Sequence, residues 1–282
     1  VSALYEVGCG HNHGPESVEA IDLKPWKELI DKVTRKLFNG SLTPAALDEG
    51  LVLKIFSELD KAGRSGFGEN WVKFDAENSP NVPKIKENLF RFSAAKTYQE
   101  LAEMNANLVD ENGKIRTFQA FKDEVQKTHQ LFNRTHLQAE FQTAKRSAQA
   151  ARQWEEFQAD KDLFPNLIYR TIGDDRVRDE HEPLDGIIKP IDDSFWDTYY
   201  PPNGFRCRCT AQPTTKAVNN RSMQGAKVDK GFEMNVGKSA QFFSETEHPY
   251  FAIPKGDSKA FKKSVDSLLK KHQKELILKT KK

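Results

Sequence analysis

The chain has 282 residues, of which 37% are hydrophobic and 30% charged, with a formal net charge of +2. That composition suits long amphipathic helices and arms beside a limited core, in one large domain or two modest ones. It excludes a polycation, so any nucleic-acid contact must come from a local patch. It also excludes a membrane span, since no apolar run approaches about 18 residues, and a disulfide framework, since only Cys9, Cys207 and Cys209 are present. The beginning of the sequence lacks the basic-then-apolar pattern of a secretory leader. These features lead to the expectation of a soluble protein assembled in a cytoplasm.

Residues Val1 to Pro25 read as irregular, and Cys9, His11 and His13 sit there among glycines. Three potential ligands within five residues suggest a second metal site, but a loose arm with a free cysteine is the simpler expectation. From Pro25, Trp26, Leu29, Ile30, Val33 and Leu37 recur at helical spacing up to Asn39-Gly40. Thr43-Pro44 predicts the start of a second helix carrying Leu47, Leu51, Ile55 and Leu59 and ending near Gly63. Residues Gly63 to Pro83 read as a loop. Helical spacing resumes at Ile85, Leu89, Phe90 and Phe92 and continues through Tyr98, Leu101 and Met104, followed by a turn at Asp110-Glu111-Asn112-Gly113. The longest helical signal runs from Thr117 to about Asp160, with Ala144, Ala148 and Ala151 permitting close approach of a neighbouring helix.

After Pro165 the texture changes. Leu167 to Ile172 has strand composition, and short strands and turns follow to about Pro213. Residues 232–254 read as irregular, anchored by Phe232, Phe242, Phe243, Tyr250 and Phe251. From Lys259 onward nine lysines face two acidic residues, and Phe261, Val265, Leu268, Leu269 and Ile277 give one apolar face. Such a helix can run along phosphates through Lys262, Lys263, Lys270, Lys271 and Lys274, dock its apolar face in a protein groove, or remain a solvated terminus.

The chemistry concentrates between Leu167 and Cys209. His181 precedes a turn at Leu184-Asp185-Gly186, and Pro201-Pro202-Asn203-Gly204 is a rigid turn delivering Cys207 and Cys209. On a strand, residues two apart share a face, so both thiols can converge on one object. Imidazole and thiolate are the usual ligands of structural zinc. His181, Cys207 and Cys209 make three, with Asp185 or Asp179 as a fourth; the alternative is ordinary buried cysteines and a histidine bonded to a carboxylate. Arg176, Arg178, Arg206 and Arg208 could grip phosphate, but the supply of Asp174, Asp175, Asp179 and Asp185 makes internal pairing the expectation. Phe195-Trp196 and Tyr199-Tyr200 read as core. An enzyme built on His181 and Asp185 is not expected, because no HExxH, phosphate-binding glycine loop or Gly-x-Ser-x-Gly elbow is present.

This stretch resembles the signature of the phage Mu F-like, or minor head protein, family. The resemblance is carried by Arg178 to His181 ending in Leu184-Asp185-Gly186, by Asp192-Asp193-Ser194-Phe195-Trp196, and by Pro201-Pro202-Asn203-Gly204-Phe205-Arg206-Cys207-Arg208-Cys209. It extends more loosely over residues 90 to 253. It implies a non-enzymatic minor structural protein of a tailed phage or prophage, acting in head morphogenesis beside portal, capsid or scaffolding proteins. The implied location is the phage head, after assembly in the host cytoplasm, with double-stranded DNA as a further partner and no membrane or small-molecule substrate. The alternative is a metal-stabilised prophage protein that binds or processes DNA. The family also occurs fused to toxin modules, for which the roughly 30 residues after the last recognised element, near His248-Pro249-Tyr250, are too few.

The expected fold is α+β: a helical N-terminal half with a long helix, then a small strand-and-loop unit around the Cys-x-Cys motif. The expected divisions are residues 1–88 for an arm and helices, 89–214 for the Mu F-like domain, and 215–282 for an irregular extension and basic tail.

Overall fold

The computed structural model describes residues 21–73 and 79–278, with side chains described as far as residue 273. Cys9, His11, His13 and the side chain of Lys274 therefore lie outside the described residues. A 3-10 turn at Lys24–Trp26 leads into α1 (Lys27–Phe38), which buries Ile30, Val33 and Leu37 as the spacing predicts. Thr43-Pro44 does not open the next helix. It makes one 3-10 turn, Pro44–Ala46, and Leu47 then takes φ 56°, which breaks helical continuity. Helix α2 (Glu49–Phe67) starts afresh at Asp48, whose carboxylate caps the Leu51 N–H at 3.2 Å.

Helix α2 runs through Gly63, where the sequence reading ends it. A Cβ there would lie 2.3 Å from the Trp71 ring, and one at Gly66 would lie 2.1 Å from the Lys145 carbonyl oxygen. These glycines serve close packing, and the packing outweighs their poor helix propensity. Helix α3 (Val82–Ala106) is buried on most of its circumference, from Val82 and Leu89 to Phe92 and Lys96. That burial makes it the centre of the helical half.

The long signal forms one continuous run: α4 (Phe118–Gln130), a π-helical segment (Leu131–His136) and α5 (Leu137–Ala159). Thr117 caps its start by accepting from the Ala120 N–H. Ala144, Ala148 and Ala151 are buried, and the Ala148 Cβ would be 2.8 Å from a Cβ on Gly66, so α2 and α5 meet through small residues. In the π segment the Phe132 carbonyl accepts from the Leu137 N–H, five residues on, and from Lys96 Nζ at 2.7 Å. Lys96 is fully buried and pairs with equally buried Glu140 at 2.9 Å. The Tyr250 hydroxyl bonds both, at 3.2 Å and 3.0 Å.

Strands β1 (Asn166–Arg170), β2 (Ile188–Pro190) and β3 (Thr210–Thr214) form a three-stranded antiparallel sheet in the order β2-β1-β3. Tyr169 stands opposite Ala211 and Leu167 opposite Lys189. The two prolines of the sheet fall on its edge strands, where a missing N–H breaks no ladder. The short helix α6 (Phe195–Tyr199) buries Phe195 and Trp196; Trp196 donates to Pro190 O at 3.0 Å, and Tyr200 donates to Ala150 O at 2.9 Å. These aromatics fasten the sheet unit to α5. The fold is thus α+β, with the long helix and the Cys-x-Cys beside the small sheet.

The chain then returns across the helices. Helix α7 (Val236–Ser239) lays Gly237 on the Trp154 ring, where a Cβ would be 2.4 Å away. Asn88 accepts from the Phe242 and Phe243 N–H groups and donates to Phe243 O, while Phe243 stacks on Phe92 with centroids 3.8 Å apart. Helix α8 (Lys255–Leu278) buries Phe261 and Val265, and its Ser264 donates to Ala45 O at 2.9 Å. One buried apolar cluster extends from Trp26 to Val265.

A candidate metal centre beside the sheet

The central strand β1 and the loops on either side of it build the site. Residues 174–181 make a turn closed by the His181 N–H on Arg178 O at 2.9 Å, which drives the His181 ring inward. The other loop, 201–209, turns at Gly204-Phe205-Arg206: the Cys207 N–H reaches Gly204 O at 3.2 Å, and Arg206 has φ 59°. Cys207 and Cys209 lie in the irregular stretch immediately before β3 rather than on a strand. Their same-side placement, expected from strand alternation, is nonetheless present.

Two arginines tie the loops together. Arg208 grips the Asp174 carboxylate with two bonds of 2.7 and 2.6 Å, which holds that carboxyl well below its ordinary range. Arg178 donates to Phe205 O at 2.7 Å and pairs with Asp229 at 3.4 Å. Gly204 makes this second strap possible, because a Cβ there would lie 2.2 Å from both Arg178 Nη1 and Asp229 Oδ2. Arg176 also pairs with Asp174, at 3.3 Å. Arg176, Arg178 and Arg208 are therefore engaged within the fold.

His181 Nδ1 lies 3.8 Å from Cys207 Sγ and 3.7 Å from Cys209 Sγ, and the three ligand atoms fall within 4.8 Å of one another. Around a tetrahedral zinc, with Zn–S of ~2.3 Å and Zn–N of ~2.05 Å, sulfur and nitrogen stand about 3.6 Å apart. The observed separations come close to that value, so these three residues can hold a metal ion. His181 and Cys207 are buried and Cys209 is half-buried.

Electrostatics favour a thiolate at Cys207. A hydrogen bond from Cys209 holds its thiol well below the ordinary thiol value, with the His181 contact and the Asn203 backbone N–H adding to this against the opposing effect of burial. Cys209 is pushed up, first by its bond to that thiolate and then by burial. The two sulfurs thus give up one proton readily as a pair and resist losing the second unless a cation enters.

Asp185 is not brought to this cluster, and neither is Asp179. The Asp185 carboxylate accepts from the Thr171 N–H at 2.9 Å and faces Arg170 at 3.6 Å, so it closes the end of β1. Sequence reasoning also missed four residues that shape the site: Tyr169, Asn203, Arg178 in its pairing, and Asp229. Tyr169 and Asn203 lie inside the motif and read there as strand and turn. Asp229 lies 20 positions beyond Cys209, in a stretch with no pattern to mark it.

On α8, Lys262, Lys263 and Lys270 are exposed. Lys271 instead bonds Glu49 at 2.8 and 2.7 Å, next to His272 on the same carboxylate. Among the described residues, no helix is long and apolar enough to cross a membrane.

The family described as "Phage Mu protein F like protein" matches residues 111–212, a span that holds the long helical run, the sheet up to the last two residues of β3 and the whole cluster. Protein F of Escherichia phage Mu, named for capsid assembly, is 33% identical over 102 residues, or 36% of this chain and 21% of its own length. The FluMu F protein of a Mu-like prophage of Haemophilus influenzae is 32% identical over 114 residues, covering 40% of this chain and 28% of that protein. The chain therefore matches about a quarter of the length of these relatives. The matched span is narrower at both ends than residues 90 to 253. No solved structure matches the chain.

Proposed function

We propose that this chain, a member of the Mu F-like family by its residues 111–212, is a minor structural protein of phage head assembly rather than an enzyme. The observation that carries the reading is the coincidence of the matched span with the built unit: the long helix, the cluster and all of the sheet but the last two residues of β3 fall inside it. Its partners in this reading are portal, capsid or scaffolding proteins of the same phage, and its place is the phage head after assembly in the bacterial cytoplasm. The division into an arm and helices to residue 88, a Mu F-like domain to 214 and a C-terminal extension goes with it. The exposed Lys262, Lys263 and Lys270 suit a phosphate backbone, with Lys271 and Lys274 beside them on the helix. Particles purified by density gradient from an induced lysogen carrying the gene should contain the protein by mass spectrometry. Its absence from both procapsids and mature heads, with the protein present in the lysate, would refute the assignment.

The cluster of His181, Cys207 and Cys209 holds a structural zinc in this reading, tying the two loops to the sheet. Asp185 belongs to the end of β1 instead. Purified wild-type protein should carry one zinc per chain that the Cys207→Ser/Cys209→Ser variant lacks, and the variant should unfold at lower denaturant. A metal-free wild type with the same unfolding midpoint as the variant would remove the metal.

A further inference from the structure

We propose that the recess between α5 and the outer edge of β3 binds an acidic segment of a partner protein, taking up one of its carboxylates. The recess has a volume of about 170 Å3 and lies inside the span matched by the family. Helix α5 lines it with Arg146, Gln149, Arg152 and Gln153, and no acidic residue lines it among the described residues. Tyr200 and the two prolines after it form an apolar wall, fixed against the helix by the bond from the Tyr200 hydroxyl to Ala150 O. Cys209 also borders the recess, but the proposal uses none of its chemistry and holds with or without a metal.

Two residues set the chemistry. Arg152 places Nη1 on Glu156 at 3.0 Å, while its Nε is buried without an acceptor among the described residues. Ala211 contributes through the register of the sheet. The Tyr169 N–H donates to Ile187 O and Tyr169 O accepts from the Gly186 N–H, both at 2.9 Å, so the backbone groups of Tyr169 turn away from β3. Ala211 stands opposite Tyr169, and opposed residues of an antiparallel pair alternate between exchanging both bonds and exchanging neither. The Ala211 N–H and C=O therefore project from the far side of β3, which is an edge of the sheet and a wall of the recess. Guanidinium and backbone N–H donors together suit a carboxylate, and bonds assisted by charge are the strong ones. The projecting carbonyl decides between a peptide and a phosphate backbone, because it needs a donor. A peptide N–H beside the acidic side chain supplies one, and a DNA backbone has none. The apolar wall takes the methylene stem of a glutamate. Pro213 projects from the same edge without an N–H, which keeps strand addition from spreading and limits the ligand to a short segment.

The test uses the full chain, labelled with nitrogen-15, and acetylated oligoglutamate as the probe. In NMR spectra of wild type, oligoglutamate should move the Arg152 Nε–H and Ala211 amide resonances, a readout that needs no variant. Oligoglutamine of the same length and a short DNA duplex should leave both in place. Arg146→Gln/Arg152→Gln should melt as wild type does and bind oligoglutamate about 10-fold or more weakly, since two charged hydrogen-bond donors are gone. Should that variant fail to fold, the wild-type resonances decide alone. Shifts confined to the lysines of α8, no shift at all, or equal affinity in the folded double variant would overturn the proposal. So would duplex DNA that moves the same two resonances and displaces the peptide, which would make the recess a phosphate site.

Discussion

Gly204 shows how much a single residue decides at this site. The Arg178–Asp229 pair crosses directly over its Cα, and Arg178 also holds Phe205 O, so the missing side chain is the space the strap occupies. Gly204→Ala must push the pair apart or displace the turn. We expect a loss of about 1–3 kcal/mol, the usual cost of overpacking, read from denaturant melts. On the proposed zinc reading, the same variant should also release the metal more readily to a chelator; a variant as stable as wild type would show that the strap is dispensable.

Two histidines at the helical core make a second prediction at this scale. Burial, together with the Lys96 charge, pushes His136 and His248 down to about 3, from an ordinary value of 6.5. Neutral His248 Nδ1 accepts the Tyr250 N–H at 3.2 Å, a bond that protonation would break. Because the folded value is depressed, the folded state excludes protons that the unfolded chain binds. The contribution is full above pH 6.5 and is lost as pH falls from there toward 3. With both sites acting, stability should drop with a slope approaching about 2.7 kcal/mol per pH unit. Denaturant midpoints from pH 8 to pH 4 measure this, and His248→Phe should make the profile shallower; an identical profile would assign the acid sensitivity elsewhere.

At the level of elements, the π segment is the joint on which the helical half turns. Its wider turn presents the Phe132 carbonyl to Lys96, and Glu140 and Tyr250 complete the pairing from α5 and from the returning C-terminal stretch. Four parts of the chain meet at one buried ammonium. Burial alone would push the lysine toward its neutral form, which the Glu140 charge opposes. Lys96→Met should cost about 3–5 kcal/mol, because it strands a buried carboxylate. The double variant Lys96→Met/Glu140→Leu should recover much of that loss. Equal melting of the single and double variants would mean that the network acts by shape and not by charge.

At the scale of the whole molecule, α8 closes the helical core with Phe261 and Val265 while turning Lys262, Lys263 and Lys270 to solvent. Its two faces can therefore be tested separately. The triple variant Lys262→Glu/Lys263→Glu/Lys270→Glu should fold with a wild-type melting point and bind duplex DNA more weakly, with the salt dependence of binding reduced. Wild-type protein that shows no salt-sensitive DNA binding would confine α8 to packing.

How much of this was legible in the sequence follows from the range of each interaction. Amphipathic spacing located α1 and the run from α4 to α5, because local periodicity reports which side will be buried; helical recurrence of apolar residues located α3, and strand composition located β1. The same local signals misplaced the start of α2 at Pro44 and ended it at Gly63, since neither Asp48's cap nor Trp71's ring is visible from spacing. The motif itself brought His181, Cys207 and Cys209 forward as companions. Tertiary structure alone decided that Asp185 would close β1, that Asp229 would brace the site from 20 residues away, and that Lys271 would be held by Glu49. Ligand chemistry and helical period are written in short stretches of chain. Which carboxylate meets which cation depends on the path of the backbone between them, and only the folded molecule fixes that path.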